Sequence, residues 1–137
     1  MADITFPALP IGYIRSPLKS PAQAPKQGAE GAPNAWIDVN EAYAQGLQGL
    51  HAGQDVIVIT WLHQARRDLL KVHPRDDPTA PLAVVFNTRS ADRPNPIGLH
   101  QVKILHVAGA RIEVGPLEAV DGTPVLDIKP VLSKAGL

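Results

Sequence analysis

Asp55-Val56-Ile57-Val58-Ile59-Thr60-Trp61-Leu62 is the stretch that decides the fold. It is β-branched along most of its length and apolar on both alternating faces. A half-exposed strand alternates and an amphipathic helix repeats every 3.6 residues, and this run does neither. It therefore reads as a central strand covered on both sides. Leu82-Ala83-Val84-Val85-Phe86 reads as a second buried strand.

Working outward, Ile11-Gly12-Tyr13-Ile14-Arg15 makes a first strand, ended by Ser16-Pro17, and Ala35-Trp36-Ile37-Asp38-Val39 a short second one. A longer, loosely alternating strand runs from Gly98 to Val107. Ala108-Gly109-Ala110 then turns the chain into Arg111-Ile112-Glu113-Val114, whose alternation leaves one face wet. Asp121-Gly122-Thr123-Pro124 is a tight turn into Val125-Leu126-Asp127-Ile128-Lys129-Pro130, where Asp127 and Lys129 share a face that suits either a functional role or a pair with each other. Asn40 caps a helix from Glu41 to about Leu50. Tyr43, Leu47 and Leu50 form its core face, and Gly46 and Gly49 weaken it so that packing must hold it. Residues 19–34 carry no period and form a long loop of the functional or mobile kind. Roughly six or seven short strands with one short helix imply a mainly β fold. The expectation is a small closed or nearly closed β-barrel, non-Rossmann, filling residues 1–137 as a single domain.

At 137 residues the chain can bury a proper core. It has no cysteine, which excludes disulfides and thiolate chemistry and fits a reducing cytoplasm. No run reaches the roughly 18 apolar residues that span a bilayer, and the start Met1-Ala2-Asp3-Ile4-Thr5-Phe6 lacks the basic-then-apolar order of a signal peptide. With 13 Lys+Arg against 13 Asp+Glu, any nucleic-acid partner must be met by a local patch. No glycine-rich dinucleotide or phosphate loop is present. The five histidines, at 51, 63, 73, 100 and 106, lack metal-ligand spacing, so no metal is expected.

The chemistry-bearing candidates are loops. Phe86-Asn87-Thr88-Arg89-Ser90-Ala91-Asp92-Arg93-Pro94-Asn95-Pro96-Ile97-Gly98 is short, stiff and rich in donors. Pro94 and Pro96 bias Arg93 and Asn95 to extended backbone, which should present their side chains outward. His63 and Gln64 follow the central strand, where they can meet a ligand lying across the sheet's end. Residues 65–75 carry Arg66, Arg67, Lys71 and Arg75, a strip that suits either a polyanion or plain solvent.

Three motifs together resemble the TsaA-like (YaeB-like) family of S-adenosylmethionine-dependent tRNA methyltransferases. They are Ile11-Gly-Tyr-Ile-Arg-Ser-Pro17, Thr88-Arg-Ser-Ala-Asp-Arg-Pro-Asn-Pro-Ile-Gly98 and Asp121-Gly-Thr-Pro-Val-Leu-Asp-Ile-Lys-Pro130. The resemblance spans nearly the whole chain. It implies a small β-barrel binding S-adenosyl-L-methionine without a Rossmann fold, working as a homodimer with the site near the subunit boundary. It also implies tRNA as partner, with methylation of the exocyclic amine of threonylcarbamoyl-adenosine next to the anticodon. Carried over motif by motif, the cofactor contacts fall on Pro25, Lys26, Gln27, His63, Gln64, Arg89, Leu99, Ala119, Val120, Asp121 and Gly122, with Thr123 adjoining. Lys26 stands where the family has arginine, Ala91 where proline is usual and Val131 where tyrosine is frequent. Asp121, Asp127 and His63 are all open as proton acceptors, and the sequence names no catalytic base. Two other functions stay open: a binding module that senses S-adenosylmethionine without catalysis, and a methyltransferase for a small acceptor.

Overall fold

The computed structural model describes residues 3–25 and 28–132. Its strands are β1 (Gly12–Arg15), β2 (Ala35–Val39), β3 (Asp55–Trp61), β4 (Lys71–Val72), β5 (Ala83–Val84), β6 (Ile97–Ala108), β7 (Arg111–Gly115) and β8 (Pro124–Pro130). Six of them close into a barrel in the order β1-β2-β7-β6-β3-β8, with every neighbouring pair antiparallel. Closure pairs the strand edges that an open sheet would leave bare.

Alternation places Ile14, Ile37, Val56, Val58, Ile104, Ile112, Val114 and Val125 in the barrel interior, all at 0% exposure. β3 is central as its sequence requires, paired along its length with both β6 and β8. Its outer face is covered only in part, for Ile57 is buried while Ile59 and Trp61 are half-buried and Asp55 is exposed. The long β6 serves two neighbours, lying against β3 up to Lys103 and against β7 from there on. Its register against β7 shifts between Ile104 and His106, the kind of irregularity that lets a strand twist more than a regular ladder does.

Two expectations change in form. The run 82–86 is not a buried strand: only Ala83–Val84 pairs, with β4, in a two-stranded ribbon outside the barrel. Val85 is buried, but Leu82, Val84 and Phe86 are 59%, 52% and 79% exposed. A short apolar run does not say whether a sheet has room for it, and here β3 already has a partner on each side. The expected helix is present but winds as a 3-10 segment, Glu41–Leu47, capped by Asn40 Oδ1 accepting the Ala42 N–H at 2.9 Å. Three residues per turn rotate Tyr43 off the face that holds Leu47. Tyr43 is therefore 40% exposed and not core filler, whereas Leu47 is buried. Gly49, at φ +88°, stops the segment short of Leu50.

Candidate functional site

The antiparallel register brings the ends of β1 and β3 and the starts of β6 and β8 to one rim. Thr60 lies opposite both Gly98 and Val125, Trp61 opposite Ile97, and Tyr13 opposite Pro124. The loop before β6, the turn after β3 and the turn before β8 therefore gather at one end of the barrel. They contain Arg89, His63-Gln64 and 119–123.

The loop before β6 is built by its arginines. Arg93 does not present its side chain as expected; it turns inward, donating to the carbonyls of Thr88 (3.1 Å), Ser90 (2.9 Å) and Val85 (2.8 Å). Those oxygens have no strand ladder, and a guanidinium offers enough donors for all three. Asn95 is likewise engaged, its Oδ1 accepting from Arg67, whose Nε also donates to the Pro94 carbonyl at 2.7 Å. The Arg67 guanidinium lies 5.0 Å from the Trp61 ring centroid. Arg66 forks onto Asp68, and its backbone N–H reaches Asp92 Oδ1 at 2.9 Å. The strip 65–75 thus straps the loop to the end of β3.

Arg89 alone among these loop and strip arginines is spare: exposed, with no hydrogen-bond or ion-pair partner among the described residues. It lines a small pocket of about 80 Å³ with Ile57, Leu99 and Gln101. Ile57 pairs with Gln101 and Ile59 with Leu99, so the floor is the outer face of β3 and β6. Sequence reasoning found Arg89 and Leu99 and missed Gln101. The signal was available, because residues two apart on a strand share a face.

His63 and Gln64 occupy an exposed turn directly after β3, and neither side chain has a partner among the described residues. Ala119, Val120 and Thr123 are buried, with Thr123 Oγ1 donating to the Val120 carbonyl at 2.7 Å. That turn offers a ligand mainly backbone and the edge of Asp121. Gly122, at φ +83°, has its N–H on the Ile14 carbonyl. Pro25 is half-buried in the loop that leaves β1, and Lys26 and Gln27 lie outside the described residues. Of the three open proton acceptors, Asp127 pairs with Lys129 at 3.5 Å and Asp121 is bonded to Ser16 and Lys19, which leaves His63 free. A second feature escaped the sequence reading: buried His100 bridges Thr60 and Glu118 beneath the rim.

Residues 13–136 match the family model described as the tRNA-methyltransferase O N-terminal domain. The chain belongs to that family. Among its relatives are a probable S-adenosyl-L-methionine-binding protein, VirR, of Rhizobium radiobacter, and an S-adenosyl-L-methionine-binding protein of Archaeoglobus fulgidus. The first is 40% identical over 120 residues, covering 88% of this chain and 67% of that one. The second is 42% identical over 120 residues, covering 88% of this chain and 85% of that one. The crystal structure of TrmO from Pseudomonas aeruginosa superposes with a TM-score of 0.79 at 30% identity, across 99% of this chain. This chain spans 59% of the length of that solved protein.

In this member of the family the turn before β8 is held by a carboxylate. The Ser16 N–H donates to Asp121 Oδ1 at 3.0 Å and the Lys19 ammonium lies 3.3 Å from Oδ2. The backbone bond from Ser16, then the Lys19 contact, holds the Asp121 carboxyl below its ordinary value against the opposing effect of burial. With the folded value depressed, the stabilisation is complete above the unfolded carboxylate pKa of about 4 and is lost as pH falls through the folded value. Asp121→Asn keeps an acceptor oxygen and removes the titration. Its urea midpoint should fall less than that of the wild type between about pH 5 and pH 2.5. Parallel decline of the two would show that Asp121 contributes nothing to acid sensitivity.

Proposed function

We propose that this rim binds S-adenosyl-L-methionine and that the protein methylates the exocyclic amine of threonylcarbamoyl-adenosine beside the tRNA anticodon, in the cytoplasm. Arg89 carries the reading: an unpartnered guanidinium beside Leu99 and Ile57 suits a ligand with a carboxylate at one end and apolar surface next to it. Family membership and the names of the relatives support the same cofactor and reaction class. The donor set fits. Arg89 takes the carboxylate, Leu99 and Ile57 cover methylene or ring surface, and Gln101 with the free His63 and Gln64 supplies hydrogen bonds to the nucleoside.

The cofactor supplies a sulfonium methyl open to in-line displacement. The residues supply placement, which accounts for much of such a rate. His63, the acceptor with no competing bond among the described residues, takes the proton that the amine releases. A pocket of about 80 Å³ is smaller than the roughly 300 Å³ and upward of sites that enclose a whole small molecule. A second copy of the chain therefore completes the site in this reading, making a homodimer whose boundary runs beside Arg89.

One observation favours a different acceptor or a purely cofactor-binding role. Arg66, Arg67 and Arg93 are all occupied within the chain, leaving Arg89 as the cation of the loop with no partner among the described residues. Mass spectrometry of nucleosides from tRNA incubated with protein and cofactor decides between them. Methylated threonylcarbamoyl-adenosine is the expected product. Cofactor binding by calorimetry with no methyl on tRNA would transfer the assignment to a small acceptor or a sensor.

A further inference from the structure

Beneath the rim, against a core made mostly of valine, isoleucine and leucine, lies a polar chain of three side chains. Thr60 Oγ1 is 2.7 Å from His100 Nε2, and His100 Nδ1 is 2.5 Å from Glu118 Oε1. Thr60 is 0% exposed and His100 5%, and the Glu118 side chain reaches the surface with 19%. An ionised carboxylate only accepts, so Nδ1 donates to Glu118, and the Nε2 of a neutral ring is then left to accept from the Thr60 hydroxyl. Hydroxyl, imidazole and carboxylate in this order also build hydrolytic nucleophiles. Here no substrate reaches the hydroxyl, because Thr60 has no exposed surface.

The position of the three residues in the chain gives them a different use. Thr60 begins the run Thr60-Trp61-Leu62-His63-Gln64, His100 directly follows Leu99, and Glu118 directly precedes Ala119. Each therefore stands at the foot of one segment of the proposed cofactor site. Gly98 conforms to the same arrangement: a Cβ there would lie 2.5 Å from Thr60 Oγ1 and 2.7 Å from His100 Nε2. Packed apolar side chains would fill the space without fixing one geometry, whereas a fully satisfied buried polar network specifies it.

We propose that Thr60, His100 and Glu118 are positioning residues, a buried frame that sets the spacing of segments 63–64, 97–99 and 119–122 around the cofactor. The inference rests on the proposed cofactor site. The test pairs Thr60→Val, which deletes the hydroxyl at nearly constant volume, with Thr60→Ser, which keeps it. Glu118→Leu and Glu118→Gln repeat the contrast at the more exposed end. Calorimetric titration with S-adenosylmethionine well below the thermal midpoint is the readout, with the midpoint recorded alongside. Thr60→Val and Glu118→Leu should weaken binding about tenfold, while Thr60→Ser and Glu118→Gln stay within about twofold of wild type, the difference expected for one lost buried hydrogen bond. Should Thr60→Val fail to fold, the Glu118 pair decides the question alone. Lower midpoints with unchanged affinity in all four variants would overturn the frame and leave the cofactor site standing. No affinity in the wild type would remove both.

Discussion

Arg89→Ala loses about 100-fold in affinity for S-adenosylmethionine, while its thermal midpoint stays within about 2 °C of the wild type. The two halves of this expectation have one cause. Arg89 is exposed and makes no bond within the described chain, so the folded state does not depend on it. A carboxylate held by a guanidinium fork gains two charge-assisted hydrogen bonds, together on the order of 3 kcal/mol in a partly desolvated pocket. Arg89→Lys should recover part of the loss, about tenfold, because a point charge replaces a planar fork. Arg93→Ala is the contrasting variant. It strips donors from three loop carbonyls, so affinity and midpoint should fall together. Calorimetry with paired melting curves separates the two. Wild-type affinity in Arg89→Ala would end the assignment of the carboxylate to this pocket.

The two arginines of one loop show what a sequence discloses and what it withholds. Both are flanked by turn-forming residues and look equally available. Which one faces out depends on where three loop carbonyls outside any strand ladder fall, and that is decided by the strapping of the loop to residues 62–67. Strands were legible where pattern alone dictates the outcome. β2 spans Ala35–Val39, the bounds read from the sequence, and β3 is a central strand with a partner on each side. The ribbon was not legible, since an apolar run at 82–86 says nothing of whether the barrel has an edge left to pair. The 3-10 winding at Glu41–Leu47 lay beyond the hydrophobic spacing, which two glycines leave underdetermined. The site residues came from the motifs, and the register adds that the segments carrying Arg89, His63-Gln64, Leu99 and 119–123 meet at one rim. His100 was seen only as a histidine without metal spacing, because Thr60 and Glu118 are distant in sequence and near only through the barrel.

Closure of that barrel depends on a contact with no side chain in it, and its disruption should produce the largest stability effect. A Cβ at Gly12 would sit 2.3 Å from the Asp38 carbonyl oxygen and 2.9 Å from the Val39 Cα, both backbone atoms of β2. No rotamer change relieves such a clash; β1 and β2 must separate. Yet β2 is fixed on its other side by β7, and the Asp38 carboxylate receives Arg15 and Arg111 from the strands on either side. Gly12→Ala should therefore cost about 3 kcal/mol, at the upper end for overpacking, and lower the midpoint by about 10 °C. Gly46→Ala is the control within the same molecule. A Cβ there meets nothing within 4 Å and its φ is ordinary, so the change should be neutral or stabilising by less than about 1 kcal/mol. Urea unfolding followed by circular dichroism measures both variants. If Gly12→Ala unfolds at the wild-type midpoint, β1 and β2 stand farther apart than the hydrogen-bonded register allows, and the barrel is open along that seam.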